Sequence, residues 1–161
     1  MEKQLEEFSI TDSLTGVYNR NYLSYRIDEK IKELEYPFSV IMADCNNLKS
    51  TNDQYGHEFG DILLRVVATT LKETVPKNFP IIRMGGDEFL VLCNGTSNEE
   101  VEKIKNDVRK KLMDKSKDKM PLSLAMGSHT VESGSFKIVD VCREADYQMY
   151  LDKNQGKNYD K

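Results

Sequence analysis

Three carboxylates in this sequence lie where strands of a sheet are expected to end. Asp44 follows the apolar run 38–43, and Asp87 and Glu88 lie in a glycine turn between two further apolar runs. If those strands are neighbours, the carboxylates meet at one end of the sheet, where their mutual repulsion favours a bound cation. Carboxylate oxygens suit Mg²⁺, whose coordination is completed by water and phosphate oxygens. The alternative is that all three are ordinary polar turn residues.

Gly85 and Gly86 precede the two carboxylates of the turn. Glycine permits positive φ and allows a ligand to approach the backbone closely. A tight hairpin turn with no ligand would explain the same pair, and from this feature alone it is the simpler interpretation.

Other polar residues also have two interpretations. His57 precedes a predicted helix and either makes a structural hydrogen bond or faces a ligand. Asn52 suits a turn and Asp61 suits a helix start, so neither by itself indicates a site. Lys153 and Lys157 belong to a small basic cluster that is either solvated surface or a means of holding a phosphate.

Several common sites are excluded. The stretch from Asp44 to Asp53 is not an EF-hand loop, because Leu48 and Lys49 occupy the places of an oxygen ligand and a glycine. The sequence contains neither a Walker loop nor a dinucleotide-binding fingerprint. His57 and His129 are far apart, which disfavours a histidine-based metal site.

The spacing of apolar residues predicts the elements that would position these side chains. Ser97 and Glu100 form a capping-box pattern that begins one helix. The predicted helices are Asn21–Glu35, a segment from Phe59 to Leu71, a segment after Ser97, and one from Val139 to about Gly156. The predicted strands are Phe38–Ala43, Pro80–Met84, Phe89–Cys93 and Leu122–Met126, the middle two forming a hairpin.

This order of elements favours an α+β fold of the ferredoxin-like kind, with a mainly antiparallel central sheet flanked by helices. A doubly wound parallel sheet would need more alternating strand–helix units. We expect one domain over residues 11–161. Residues 1–10 are expected to be the end of a helix, either one that connects from an upstream domain or a terminus.

The amino-acid composition limits the classes of partner that this chain could bind. The 161 residues contain 27 Asp and Glu against 23 Lys and Arg, for a net charge of −4. This acidity disfavours non-specific binding to nucleic acid or anionic lipid. The three cysteines form no CxxC pair, which favours a reducing, cytoplasmic location. No apolar run is long enough to predict a membrane span, and the amino end does not resemble a secretion signal.

The segment Arg83–Phe89 resembles the signature of the GGDEF family of diguanylate cyclases, and all five signature letters are present. Three more segments resemble family blocks in the same order, and together they cover almost the whole chain from about residue 10. They are Asp12–Arg20, Asp44–Asp61 with Lys49, Asn52, His57 and Asp61, and Ala145–Asn158 with Lys153 and Lys157.

The resemblance implies a palm-like nucleotide cyclase fold that joins two GTP molecules into cyclic di-GMP across two facing domains. It implies Mg²⁺, or Mn²⁺ in its place, held by Asp44, Asp87 and the Cys45 carbonyl. Asp87 and Glu88 would be catalytic. The substrate-binding residues would be Lys49, Asn52, His57, Asp61, Gly85, Gly86, Lys153 and Lys157, and a buried Asp61 would favour guanine over adenine.

The sequence departs from the family at two important places. Asn46 stands where a second aspartate is common, which weakens the case for a second metal ion. The family's inhibitory motif, an arginine and an aspartate three residues apart, is replaced by the segment 76–79, of sequence Pro-Lys-Asn-Phe. A GTP-binding module without turnover is therefore the alternative function. We expect any sensor domain to lie upstream of these 161 residues.

Overall fold

The computed structural model describes residues 10–116 and 122–159, without the side chains of residues 28–31 and 156–159. The predicted connecting helix over residues 1–10 therefore lies outside the described residues except for Ile10. The strands are β1 (Tyr18–Asn19), β2 (Phe38–Cys45), β3 (Ile81–Arg83), β4 (Glu88–Cys93) and β5 (Leu124–Val131). The helices are α1 (Asn21–Ile31), α2 (Leu48–Tyr55), α3 (His57–Thr74), α4 (Asn98–Lys115) and α5 (Ile138–Tyr159).

The five strands form one sheet in the order β1-β3-β4-β2-β5. Strand β1 pairs with β3 in parallel, and the other pairings are antiparallel. The predicted hairpin is present as β3 and β4, with Ile82 opposite Leu90. The expectation of a mainly antiparallel sheet flanked by helices is confirmed.

Alternating side chains of the sheet pack against two layers of helices. Ile41 and Val91 point to the layer that contains α3 and α4. Val40 and Leu90 point to the opposite layer, which contains α1 and α5. Strand β2 is buried along its whole length because both of its faces are covered and it has a paired strand on each side.

The predicted Ser97 cap at the start of α4 is confirmed, although Glu100 binds the Ser97 hydroxyl rather than its backbone N–H. The Ser97 hydroxyl accepts a hydrogen bond from the Glu100 backbone N–H at 3.2 Å. It also lies 3.2 Å from the Glu100 carboxylate. The first of these bonds satisfies a helix N-terminal N–H that has no partner within the helix.

Two elements were not predicted, and several predicted ends were wrong, including those of β5, which is Leu124–Val131 rather than Leu122–Met126. Strand β1 has only two residues, and α2 is mostly polar with one buried residue, Thr51, so neither has an apolar pattern. Helix α1 ends at Ile31 rather than Glu35, and α5 passes Gly156 to Tyr159. Within the residues that the structure describes, no helix is long and apolar enough to cross a membrane.

Candidate active site

The three carboxylates of the sheet meet where β2 ends and β4 begins. Asp44 lies directly opposite Glu88 in the antiparallel register, so the two side chains share one face of the sheet. The Cys45 backbone N–H donates to the Asp87 carbonyl oxygen at 3.0 Å, which fixes the glycine turn against β2. The Asp87 carboxyl lies near enough to Asp44 to raise the pKa of that carboxyl.

Asp44 is the most enclosed of these groups, at 7% exposure. Its Oδ2 accepts a hydrogen bond from Lys153 Nζ at 2.9 Å, and its buried Oδ1 has no partner. Burial raises the pKa of Asp44 to about 6, and Asp87 adds to that rise while Lys153 opposes it. Burial, followed by Asp146, also raises the pKa of Glu88. Negative charge is therefore crowded here and incompletely neutralised.

The donor set fits a hard cation. Asp44 offers an unpartnered buried oxygen beside Asp87, and carboxylate oxygens are the ligands that Mg²⁺ prefers. Among the residues that the structure describes, no three acidic, histidine or cysteine side chains are grouped to hold a metal ion. Two carboxylates suffice for Mg²⁺, which keeps several waters and takes phosphate oxygens from a substrate.

Two neighbours of Asp44 are turned away from such an ion. Cys45 packs into the opposite core, where burial raises the pKa of its thiol to about 12, so only its carbonyl is a suitable ligand. The Asn46 amide donates to the Ser123 hydroxyl at 2.9 Å. Asn46 therefore ties the end of β2 to the segment before β5.

A second group of polar residues follows β2. Asn47 adopts a left-handed conformation with φ of 62°, which turns the chain into α2. Gly56, with φ of 92°, separates α2 from α3. A Cβ built on Gly60 would lie 1.9 Å from Asn52 Oδ1, so the bare glycine makes room for the Asn52 amide. That Oδ1 is buried and has no partner, and it is free to accept a ligand hydrogen bond.

The other predicted site residues are less enclosed. Asp61, Lys49 and His57 are exposed, so the expectation that Asp61 is buried is wrong for this structure. Asp61 lies in the second turn of α3, whose first residues, His57 and Glu58, are also exposed. Lys153 joins the carboxylates, whereas the Lys157 side chain lies outside the described residues.

The backbone of the glycine turn does not use the positive φ that glycine permits. Neither Gly85 nor Gly86 has a positive φ. A Cβ built on either glycine meets nothing within 4 Å. The turn is therefore open on its outer side, and the expected space for a ligand against the backbone is present.

Sequence reasoning missed the contact that anchors this turn. Arg83 donates to the Gly86 carbonyl through Nε at 3.2 Å and through Nη2 at 2.7 Å. Its Nη1 also pairs with Asp12 Oδ2 at 3.2 Å. The Thr15 hydroxyl donates to the same Asp12 oxygen at 2.6 Å. Both residues were inside recognised motifs, but nothing in their spacing indicated that they touch.

Replacing Asp12 with asparagine should destabilise the fold by about 2 kcal/mol at neutral pH, the order expected for hydrogen bonds to a charged group. Burial alone would raise the pKa of Asp12, but Thr15 and Arg83 outweigh it and hold that pKa below 3.8. The stabilisation is therefore complete above that value and is lost as pH falls through the lower pKa of the folded state. The urea midpoints of the wild type and of Asp12→Asn at neutral and acid pH test this. An equal difference between the two proteins at both pH values would contradict it.

Comparison with known proteins identifies the fold and the motifs together. The family model described as "Diguanylate cyclase, GGDEF domain" matches residues 9–159. The chain belongs to the GGDEF family. A diguanylate cyclase of Vibrio cholerae is 29% identical over 163 residues, covering 98% of this chain and 51% of that protein. The cyclic di-GMP phosphodiesterase PdeR of Escherichia coli is 39% identical over 102 residues, covering 63% of this chain and 15% of PdeR.

Solved structures agree on the fold of this GGDEF chain. The coiled coil and GGDEF domain of DgcB from Caulobacter crescentus, in complex with c-di-GMP, has a TM-score of 0.85 at 22% identity. That match covers 96% of this chain and 86% of the DgcB chain. The palm-like α+β fold expected of a GGDEF domain is confirmed. This chain spans about half or less of the length of the curated relatives described above.

Proposed function

We propose that residues 11–161 form a diguanylate cyclase domain that joins two GTP molecules into cyclic di-GMP. In this reaction the 3′ hydroxyl of each GTP attacks the α-phosphate of the other. Two new P–O bonds form, two bonds between α- and β-phosphates break, and two pyrophosphates and two protons leave. Each copy of the domain binds one GTP, so the product forms only where two copies face each other.

One observation carries this proposal. The signature residues Asp87 and Glu88 meet Asp44 at one end of the sheet, and Asp44 keeps a buried oxygen without a partner. An unpartnered buried carboxylate oxygen is costly unless something binds it. A magnesium nucleotide supplies what this cluster lacks, because it brings cations with open coordination positions.

Mg²⁺, or Mn²⁺ in its place, would be held by Asp44, Asp87 and the Cys45 carbonyl. When bound, it would polarise the α-phosphate and stabilise the leaving pyrophosphate. Asp87 is the group that accepts the proton of the attacking hydroxyl, and Glu88 supports it from the adjacent position. The open turn at Gly85 and Gly86 lets the nucleotide lie against the backbone.

Cationic side chains would bind the phosphate oxygens of GTP that the metal ion does not. Lys153 already lies at the cluster, 2.9 Å from Asp44, and its stem permits a shift toward a phosphate. Lys49 and Lys157 are proposed as further phosphate contacts. Each can offer a point charge to a phosphate without the fixed geometry that an arginine would impose.

Asn52 and Asp61 would recognise the guanine edge. The Asn52 Oδ1 is a buried acceptor without a partner, and Asp61 follows the glycine against which Asn52 packs. Guanine offers an N1–H and an exocyclic amine as donors, whereas adenine lacks that pair on the same edge. His57, exposed at the start of α3, is proposed as a contact on the open side of the base.

Replacing Gly60 with alanine should weaken GTP binding about tenfold and leave the fold intact. The new Cβ would lie 1.9 Å from Asn52 Oδ1, and only the flexible amide must move away. Binding of GTP in Ca²⁺, measured by calorimetry, tests this. Asn52→Ala should give the same loss, and the double variant should lose no more, because both changes remove one contact. Additive losses would contradict the assignment.

Turnover against protein concentration is the direct test of the cyclase. Two GTP-loaded copies must meet, so the rate of cyclic di-GMP formation should rise more steeply than linearly with protein concentration. Product is followed by chromatography with GTP and Mg²⁺, and a mixture of ATP and GTP checks base selection. A fusion protein that holds two copies of the chain together as an enforced dimer serves as the positive control. Absence of product from that dimer would reject the proposal.

A GTP-binding module without turnover is the second candidate. It is favoured by Lys153, which places an ammonium group where a cation would bind Asp44, and by Asn46, whose amide is engaged by Ser123. Tight GTP binding without product in the enforced dimer would select this function. In either case we propose that a sensor domain outside these 161 residues controls the domain.

We predict no product inhibition through the family's inhibitory motif. The position of its aspartate is occupied by Phe79, which is 9% exposed and packs into the core, so no carboxylate is available there. The position of its arginine is occupied by Pro76. Initial rates with added cyclic di-GMP should follow simple competition with GTP. Strong non-competitive inhibition would contradict this prediction.

A further inference from the structure

A carboxylate in the last part of helix α5 binds the backbone at the edge of the sheet. Among the strands that the structure describes, β5 lies at the edge of the sheet, and none of them pairs with its outer backbone groups. One of them, the Met126 N–H, donates to Asp152 Oδ2 at 2.9 Å. The same oxygen lies 3.6 Å from Arg109 Nη2 of α4. Asp152 therefore connects α4, α5 and β5.

The next residue of α5 reaches the carboxylate cluster. Lys153 Nζ lies 2.9 Å from Asp44 Oδ2. The two contacts are on consecutive rungs of the sheet, because Met126 is opposite Ala43 and Ala125 is opposite Asp44. A shift of α5 along β5 by even part of a residue would therefore move Lys153 away from Asp44.

We propose that Asp152 is a positioning residue, which fixes helix α5 on β5 and thereby holds Lys153 beside Asp44. In that position the Lys153 ammonium group is ready to bind a nucleotide phosphate. The second part of this proposal rests on the proposed function, and the first does not. A carboxylate is suited to the task because a charged acceptor forms a stronger bond to a backbone N–H than a neutral one. Asp152 itself touches no group assigned to the substrate.

The first test needs no nucleotide. Limited acetylation followed by mass spectrometry measures how fast each lysine reacts, and the pairing with Asp44 protects Lys153. In Asp152→Ala we expect Lys153 to react about tenfold faster, the order of effect when a hydrogen bond to a charged group is lost. The exposed Lys49 and Lys103 are internal standards. An unchanged rate at Lys153 would overturn the proposal.

Two further variants separate the contacts of Asp152. Asp152→Asn keeps an acceptor for the Met126 N–H and should protect Lys153 nearly as well as the wild type does. Arg109→Gln removes a partly exposed ion pair and a hydrogen bond to Asn106 within α4, and it should have little effect on Lys153. Lys105, at 7% exposure, reports unfolding through its own labelling. If Asp152→Ala unfolds, Asp152→Leu, whose side chain also has no hydrogen-bond acceptor, replaces it with the same expectation and the same overturning result.

The second test uses GTP and guanosine in Ca²⁺. Asp152→Ala should raise the Kd of GTP about tenfold and leave that of guanosine unchanged, because only GTP has phosphates for Lys153. In a Lys153→Met background, Asp152→Ala should cause no further loss. A further tenfold loss in that background, or an equal loss for guanosine, would show a merely structural role. If the wild type binds no GTP, the proposed function fails and the labelling result alone decides the positioning role.

Discussion

Replacing Asp87 with alanine should reduce cyclic di-GMP formation on the order of 10³-fold, the scale of losing one group that stabilises charge in a transition state. The substitution removes a carboxylate that lies beside Asp44 and raises its pKa. It spares the backbone bond in which the Asp87 carbonyl accepts from the Cys45 N–H. The turn should therefore keep its shape, and the loss should reflect the missing carboxylate. Product formation at saturating GTP and Mg²⁺ measures it.

Asp107→Ala is a matched control, because Asp107 is an exposed aspartate on α4. It should retain wild-type turnover. Glu88→Ala should lose turnover as Asp87→Ala does, since Glu88 lies opposite Asp44 on the same face of the sheet. Wild-type rates in either variant of the signature would remove the catalytic assignment of that residue.

Replacing Gly127 with alanine should destabilise the fold by about 3 kcal/mol, the upper range for forcing atoms into a packed core. A Cβ at this position would lie 2.0 Å from the Met149 backbone nitrogen and 2.3 Å from the Ala145 carbonyl oxygen. Both obstacles belong to the backbone of α5, which cannot rotate away as a side chain can. Helix α5 must therefore move off β5. The urea midpoint of unfolding measures the loss.

Two kinds of control variant test whether the loss of stability is specific to Gly127. Ser128→Ala changes the adjacent, partly exposed residue of β5 and should shift the midpoint little. Gly85→Ala and Gly86→Ala add a methyl group where nothing lies within 4 Å, so they should leave stability unchanged. A Gly127→Ala midpoint equal to that of the wild type would show that α5 does not rest on β5 as described.

Most of the fold was predictable because its elements carry local patterns. The helix after Ser97 begins with a capping-box pattern, and the strands around Gly85 and Gly86 are apolar runs joined by a turn. Helix α2 was missed because its sequence is polar and it is held mainly by its packing against α3. The residues of β5 beyond Met126 were missed because they lie at a partly exposed edge and continue no apolar run.

The types of the site residues were predictable, but their contacts were not. Asp44, Asp87 and Glu88 were identified from their positions beside strands and in a complete signature. The burial expected for Asp61 was wrong. It was an inference from residue type about an environment that the surrounding chain determines.

The sequence by itself determined the family, the order of the main elements and the carboxylates that could bind a metal ion, because these depend on local spacing and on residue chemistry. Only the tertiary structure decided that Lys153 pairs with Asp44, that Arg83 joins Asp12 to the glycine turn and that Gly127 supports α5. Those contacts join residues far apart in the chain. Their partners are set by strand register and helix packing, which no local pattern encodes.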